Sequence, residues 1–82
     1  MYYVYVLKLK NNDLYVGRSD DLKRRISEHE EGKVESTQYF RPLTLIYYEA
    51  FLKKEDAIRR ELYLKTSTGK RMLKILLKES RK

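Results

Sequence analysis

Residues 2–9, YYVYVLKL, place aromatic and β-branched side chains in a run too short and too β-rich for a helix, which predicts a largely buried strand. Asn11, Asn12 and Asp13 then supply residues that tolerate positive φ and bond to nearby backbone, and residues 14–17, LYVG, return as a second strand. A β-hairpin therefore opens the chain. Ser19, Asp20 or Asp21 can cap a helix start, acidic charge suits its positive end, and Leu22 and Ile26 lie four apart on one face. That helix is expected to run to Glu30 or Glu31 and stop at Gly32.

Residues 33–42 are polar and irregular until Tyr39 and Phe40, and Pro42 disfavours a helix through them, so they read as a loop. Residues 43–51 predict a third strand. Residues 54–65 predict a second helix with Ala57, Ile58, Leu62 and Lys65 on one side. The TSTG at 66–69 reads as a break, after which residues 70–78 predict a last helix with Met72, Leu73, Leu76 and Leu77 inward and a frayed tail at 79–82. The order ββαβαα implies an α+β fold, a three-stranded sheet packed with helices, in one domain over residues 1–82.

A chain of 82 residues has a thin core, and domains of this size often add disulfides or a structural metal. The absence of cysteine excludes the first, and a single histidine argues against the second. Together with the lack of an apolar leader or long apolar run, this fits a cytoplasmic protein with no membrane partner. Nineteen Lys and Arg against twelve Asp and Glu leave a formal charge of +7, which makes nucleic acid the first partner to consider, with plain solubility as the alternative.

Tyr3, Val4 and Tyr5 precede the matching Tyr15, Val16 and Gly17, so one hairpin presents two tyrosine-bearing tripeptides side by side. Periodicity alone assigns those tyrosines to packing and Gly17 to a turn. The ordered set Y3-V4-Y5, Y15-V16-G17, Arg25 ten residues after Tyr15, the segment from Leu22 to His29, S36-T37, R41-P42, Y47-Y48-E49-A50 and R60-E61-L62-Y63-L64-K65 resembles the GIY-YIG nuclease superfamily, specifically its small stand-alone bacterial members. The resemblance covers nearly the whole chain. It implies a metal-dependent endonuclease in which Tyr5, Tyr15 and Arg25 are catalytic and Glu61, on the second helix, holds Mg²⁺ or Mn²⁺. Many members carry an asparagine after that helix, whereas K65-T66-S67-T68-G69-K70 has none.

The chemistry of phosphodiester hydrolysis suits these residue types. A guanidinium stabilises charge on the non-bridging oxygens, and the alternative for Arg25 is a plain solvent or phosphate contact. A hard carboxylate suits Mg²⁺ or Mn²⁺ with most of its waters kept, against a solvated or Arg-paired Glu61 beside Arg59 and Arg60. A base must take a proton from water. A phenol of ordinary pKa is poor at this, so neighbouring cations are expected to depress that of Tyr5, with Tyr15 orienting groups around it. His29 competes as a base tuned near neutral pH, or simply hydrogen-bonds at a helix end. Arg25 and His29 are four apart and share one helix face. Arg18, Lys23, Arg24, Lys33, Arg41 and Lys65 are the candidate nucleic-acid contacts, with DNA ahead of RNA and no stable protein partner. The competing class is a nucleic-acid-binding module of the same fold that cleaves weakly or not at all.

Overall fold

The computed structural model describes residues 1–82. Its elements are β1 (Tyr2–Lys8), β2 (Leu14–Ser19), α1 (Leu22–Glu30), β3 (Thr44–Phe51), α2 (Lys54–Leu64) and α3 (Ser67–Leu76). The order is ββαβαα, an α+β fold with a three-stranded antiparallel sheet.

β1 lies in the middle of the sheet, in the order β2-β1-β3, which explains its near-continuous apolar run. Val4 and Val6 point to one face and join Val16, Ala57, Leu64, Leu73 and Leu77 beneath α2 and α3. Tyr5 and Leu7 point to the other face, where Tyr15, Leu22, Ile26 and Leu45 close over them from β2, α1 and β3. The hairpin pairs Val6 with Val16 and Leu7 with Tyr15. Its turn holds Asn12 at φ 71°, and the Asn11 side chain accepts from the Asp13 amide at 3.1 Å. On the other side, Ile46 is the extra residue of a bulge in β3, between the Val6–Tyr47 and Leu7–Leu45 pairs.

Asp21 caps α1 by accepting from the Arg24 amide at 3.1 Å. The helix closes with two reversed bonds, Gly32 N–H to the His29 carbonyl at 3.1 Å and Lys33 N–H to the Glu28 carbonyl at 2.9 Å, with Gly32 at φ 77°. This fixes the last turn of α1, and with it His29.

Three sequence expectations change. The break expected over 66–69 narrows to Lys65 and Thr66: the Thr66 hydroxyl accepts from the Gly69 amide at 3.1 Å and donates to the Tyr63 carbonyl at 2.6 Å, so α3 starts at Ser67. The inner side of α3 is Gly69, Leu73 and Leu77, with Leu76 half-exposed. The buried side of α2 is Ala57 and Leu64, while Leu62 is 62 % exposed. The reason is the same in the last two cases. Apolar residues on both sides of each helix leave the inner face to be chosen by the fit between α2 and α3.

That fit depends on Gly69, where a Cβ would run into the Tyr63 carbonyl and would lie 2.7 Å from the Leu64 Cα. Both obstacles are backbone. Gly69→Ala is expected to lose about 2 kcal/mol of unfolding free energy in urea, since overpacking of about 1–3 kcal/mol outweighs the at most ~1 kcal/mol gained in helix propensity. A variant as stable as the parent would show that the α2–α3 contact relaxes freely.

Candidate active site

Tyr5 pairs across the hairpin with Gly17, and its ring lies directly over that glycine, where any Cβ would collide with the phenol. Gly17 is therefore not the turn residue its sequence context suggests. It lies inside β2 without positive φ, and its missing side chain lets Tyr5 cross the strand.

His29, on the covered side of α1, meets the Tyr5 hydroxyl with Nε2 at 2.8 Å and the Thr37 hydroxyl with Nδ1 at 2.7 Å. Tyr5 is 1 % exposed, and His29 and Thr37 are fully buried. A neutral imidazole has one donor and one acceptor, so the chain runs in one of two directions: Tyr5 O–H to Nε2 with Nδ1–H to Thr37, or Thr37 O–H to Nδ1 with Nε2–H to Tyr5. The Tyr15 ring stands edge-on to His29 at 5.2 Å and 6.5 Å from the Tyr5 ring, and its hydroxyl accepts from Ser36 at 3.4 Å.

Burial sets the proton affinities here, and both differ from the sequence expectation. It pushes the Tyr5 phenol up to about 12; the neighbouring Arg25 opposes this, while Tyr15 and Glu61 add to it. His29 is lowered to about 4, first by burial and then by the charge of Arg25, with Glu28 opposing. At neutral pH Tyr5 is a protonated phenol and His29 a neutral imidazole. Because the folded His29 pKa lies below its ordinary 6.5, its contribution to stability is complete above pH 6.5 and is lost as pH falls towards 4. Over that window the parent is expected to lose about 3 kcal/mol more than His29→Gln in urea unfolding. Parallel pH profiles would contradict a buried neutral imidazole.

Arg25 is partly exposed and donates from Nη1 to Glu28 at 3.2 Å. Glu61 follows the buried Ala57 by four residues, which puts it on the sheet side of α2 with its side chain 16 % exposed. Oε1 accepts from Arg18 Nε at 3.2 Å, and Oε2 pairs with Lys65 Nζ at 3.1 Å. Arg59 and Arg60, expected from sequence to compete for Glu61, pair elsewhere: Arg59 with Asp56, and Arg60 with Glu49 through two bonds at 2.8 and 3.0 Å. No group of three His, Cys, Asp or Glu forms a ready-made metal cage. Glu61 nonetheless offers the hard, charged oxygens that suit an ion keeping most of its water, provided Arg18 or Lys65 releases an oxygen.

The other sequence-selected cations are dispersed. Arg24 is paired with Asp20 at 3.7 Å and shares a cavity of about 320 Å³ with Arg18, Arg25 and Lys54. Lys23 is exposed on α1, and Lys33 pairs with Glu31 at 2.8 Å. Arg41 ties the loop to α1, donating to the Gln38 carbonyl at 3.0 Å and the Glu30 carbonyl at 3.3 Å, with its guanidinium packed over Gly32. The sequence marks Thr37 only as part of the S36-T37 pair in the resemblance and assigns it no role: it becomes a partner of His29 because the loop folds back eight residues later.

The hairpin thus carries a phenol laid across a glycine, backed by a buried histidine and near an arginine and a carboxylate. Residues 1–74 match the family described as the GIY-YIG catalytic domain, and the chain belongs to this family, a nuclease superfamily. It is 40 % identical over 76 residues to a UPF0213 protein of Staphylococcus haemolyticus, covering 92 % of this chain and 93 % of that one. It is 38 % identical over 71 residues to the UPF0213 protein YazA of Bacillus subtilis, covering 85 % and 72 %. Among solved structures it is similar to the solution NMR structure of a UPF0213 protein from Bacillus halodurans, with a TM-score of 0.59, 36 % identity, and coverage of 93 % of this chain and 85 % of that one. No helix is long and apolar enough to cross a membrane.

Proposed function

We propose that the protein is an endonuclease that hydrolyses phosphodiester bonds in nucleic acid, with DNA the first substrate to test, and that Tyr5, Tyr15, Arg25, His29 and Glu61 form its active site. The observation that carries this reading is the buried chain from Tyr5 through His29 to Thr37, placed where the charges of Arg25 and Glu61 both reach the phenol.

A phenol with a pKa near 12 does not act as a free base, so Tyr5 is a relay. As attacking water passes a proton to the Tyr5 oxygen, the phenol passes its own to Nε2 of His29, and the resulting imidazolium donates through Nδ1–H to Thr37. Arg25 lowers the basicity of His29 in the free protein. A bound phosphodiester offsets that positive charge and makes His29 a better acceptor when substrate is present. Arg25 also faces the charge that develops on the non-bridging oxygens. Tyr15, edge-on to His29, holds the ring in place. Mg²⁺ or Mn²⁺ held by Glu61 would supply Lewis-acid stabilisation of the phosphate and leaving oxygen. Residues 1–82 act in this reading as one domain.

A second reading, a binding module that cleaves weakly, is favoured by one observation: both oxygens of Glu61 are already paired with cations. Incubating the protein with labelled single- and double-stranded DNA and RNA, with and without Mn²⁺, separates the two. Metal-dependent internal cleavage is the expected result. Salt-sensitive binding without cleavage of any substrate would replace the nuclease with the binding module.

A further inference from the structure

Arg18 and Lys65, which hold the two oxygens of Glu61, belong to different surface grooves. Arg18 lines the cavity shared with Arg24, Arg25 and Lys54. Lys65 lines a second cavity of about 450 Å³, together with Lys70 and Lys74 of α3 and the apolar side chains of Leu14, Val16 and Leu73. The first groove takes in Arg18 and Ser19 at the end of β2, and the second takes in Leu14 and Tyr15 at its start. Glu61 is bridged between them.

Lys70 and Lys74 are one helical turn apart and stand side by side. Both are exposed, and neither takes part in an ion pair. The one carboxylate in the lining, Asp13, bonds to Asn11. An apolar surface of Leu14, Val16 and Leu73 beside the unpaired ammonium groups of Lys70 and Lys74 suits a sugar-phosphate unit, with phosphate on the lysines and the less polar part against the aliphatic side chains. β2 is an edge strand, so nothing from the sheet separates the two grooves along its open side.

We infer that the groove of Lys65, Lys70 and Lys74 is a phosphate-binding subsite for the substrate strand on one side of the bond that is cut, so that the strand runs along the open edge of β2 from the Arg24–Arg25 groove to α3. This rests on the proposed nucleic-acid substrate but not on cleavage. Lys65 couples the two places: a phosphate in the groove competes with Glu61 for its ammonium group, which draws one cation away from the carboxylate.

The test uses the full chain and fluorescence anisotropy with labelled oligonucleotides in EDTA, where cleavage plays no part. Lys70→Gln/Lys74→Gln is compared with Lys53→Gln/Arg59→Gln, which removes the same charge from residues outside both grooves. Thermal unfolding checks that both variants fold. The groove variant is expected to bind about tenfold more weakly than the control variant and to show a salt slope shallower than the parent's by about 1.5, since each lost phosphate contact removes about 0.7–0.9. Affinity should rise with oligonucleotide length, with a mononucleotide competing poorly. Equal weakening in the two variants would overturn the subsite and leave nucleic-acid binding intact. A mononucleotide that competes as well as a longer strand would assign the groove to a free nucleotide and overturn the strand path. A parent that binds no oligonucleotide would overturn both the subsite and the proposed function.

Discussion

Glu61→Gln is expected to lower cleavage roughly a thousandfold, the several kcal/mol that Lewis-acid stabilisation supplies, while nucleic-acid binding tightens. The substitution keeps side-chain size and helix propensity and removes the charge a hard divalent ion requires. The tightening comes from the geometry around the carboxylate. Arg18 and Lys65 both give charge to Glu61, and an amide there leaves both cations available to phosphate. Arg25→Ala is expected to abolish cleavage with weaker binding, because a phosphate contact goes with the transition-state contact. Gel-based cleavage and anisotropy, measured on the same preparations, separate the effects. A Glu61→Gln protein that cleaves as fast as the parent would remove Glu61 from the active site.

Tyr5→Phe is expected to slow cleavage at least about a hundredfold at neutral pH, within the range for loss of a positioned proton-transfer group, and to lower stability by about 1–2 kcal/mol. The stability loss follows from burial. Removing the hydroxyl leaves Nε2 of His29 without its partner, in a place water does not reach. Tyr15→Phe gives the contrast, since the Tyr15 hydroxyl makes only a long bond from exposed Ser36 and its loss strands no buried group. Single-turnover rates with urea unfolding of both variants test this. Near-parental cleavage by Tyr5→Phe would show that the buried chain is structural, and an unchanged stability would show that Nε2 finds another partner.

The elements of this fold are written locally, and they were legible in the sequence. YYVYVLK alternates side chains between two buried faces, Asn11–Asp13 carry turn chemistry, Asp21 and Gly32 close the two ends of α1, and the helix and strand order follows from periodicity. Resemblance added Tyr5, Tyr15, Arg25 and Glu61 as candidate site residues, and the family match spans residues 1–74.

Tertiary structure decided what depends on neighbours in space. Leu62 and Leu64 are both good helix residues, and only docking of α3 through Gly69 turns Leu64 inward and leaves Leu62 in water. Gly17 reads as a turn residue until the Tyr5 ring is placed over it. Proton affinities lie still further from the sequence. Cations near Tyr5 promised a lowered pKa, but desolvation outweighs them and raises it, and the same burial keeps His29 neutral. A residue's type sets which charges it can carry; the water excluded around it and the partners brought to it by the fold set which one it carries at neutral pH.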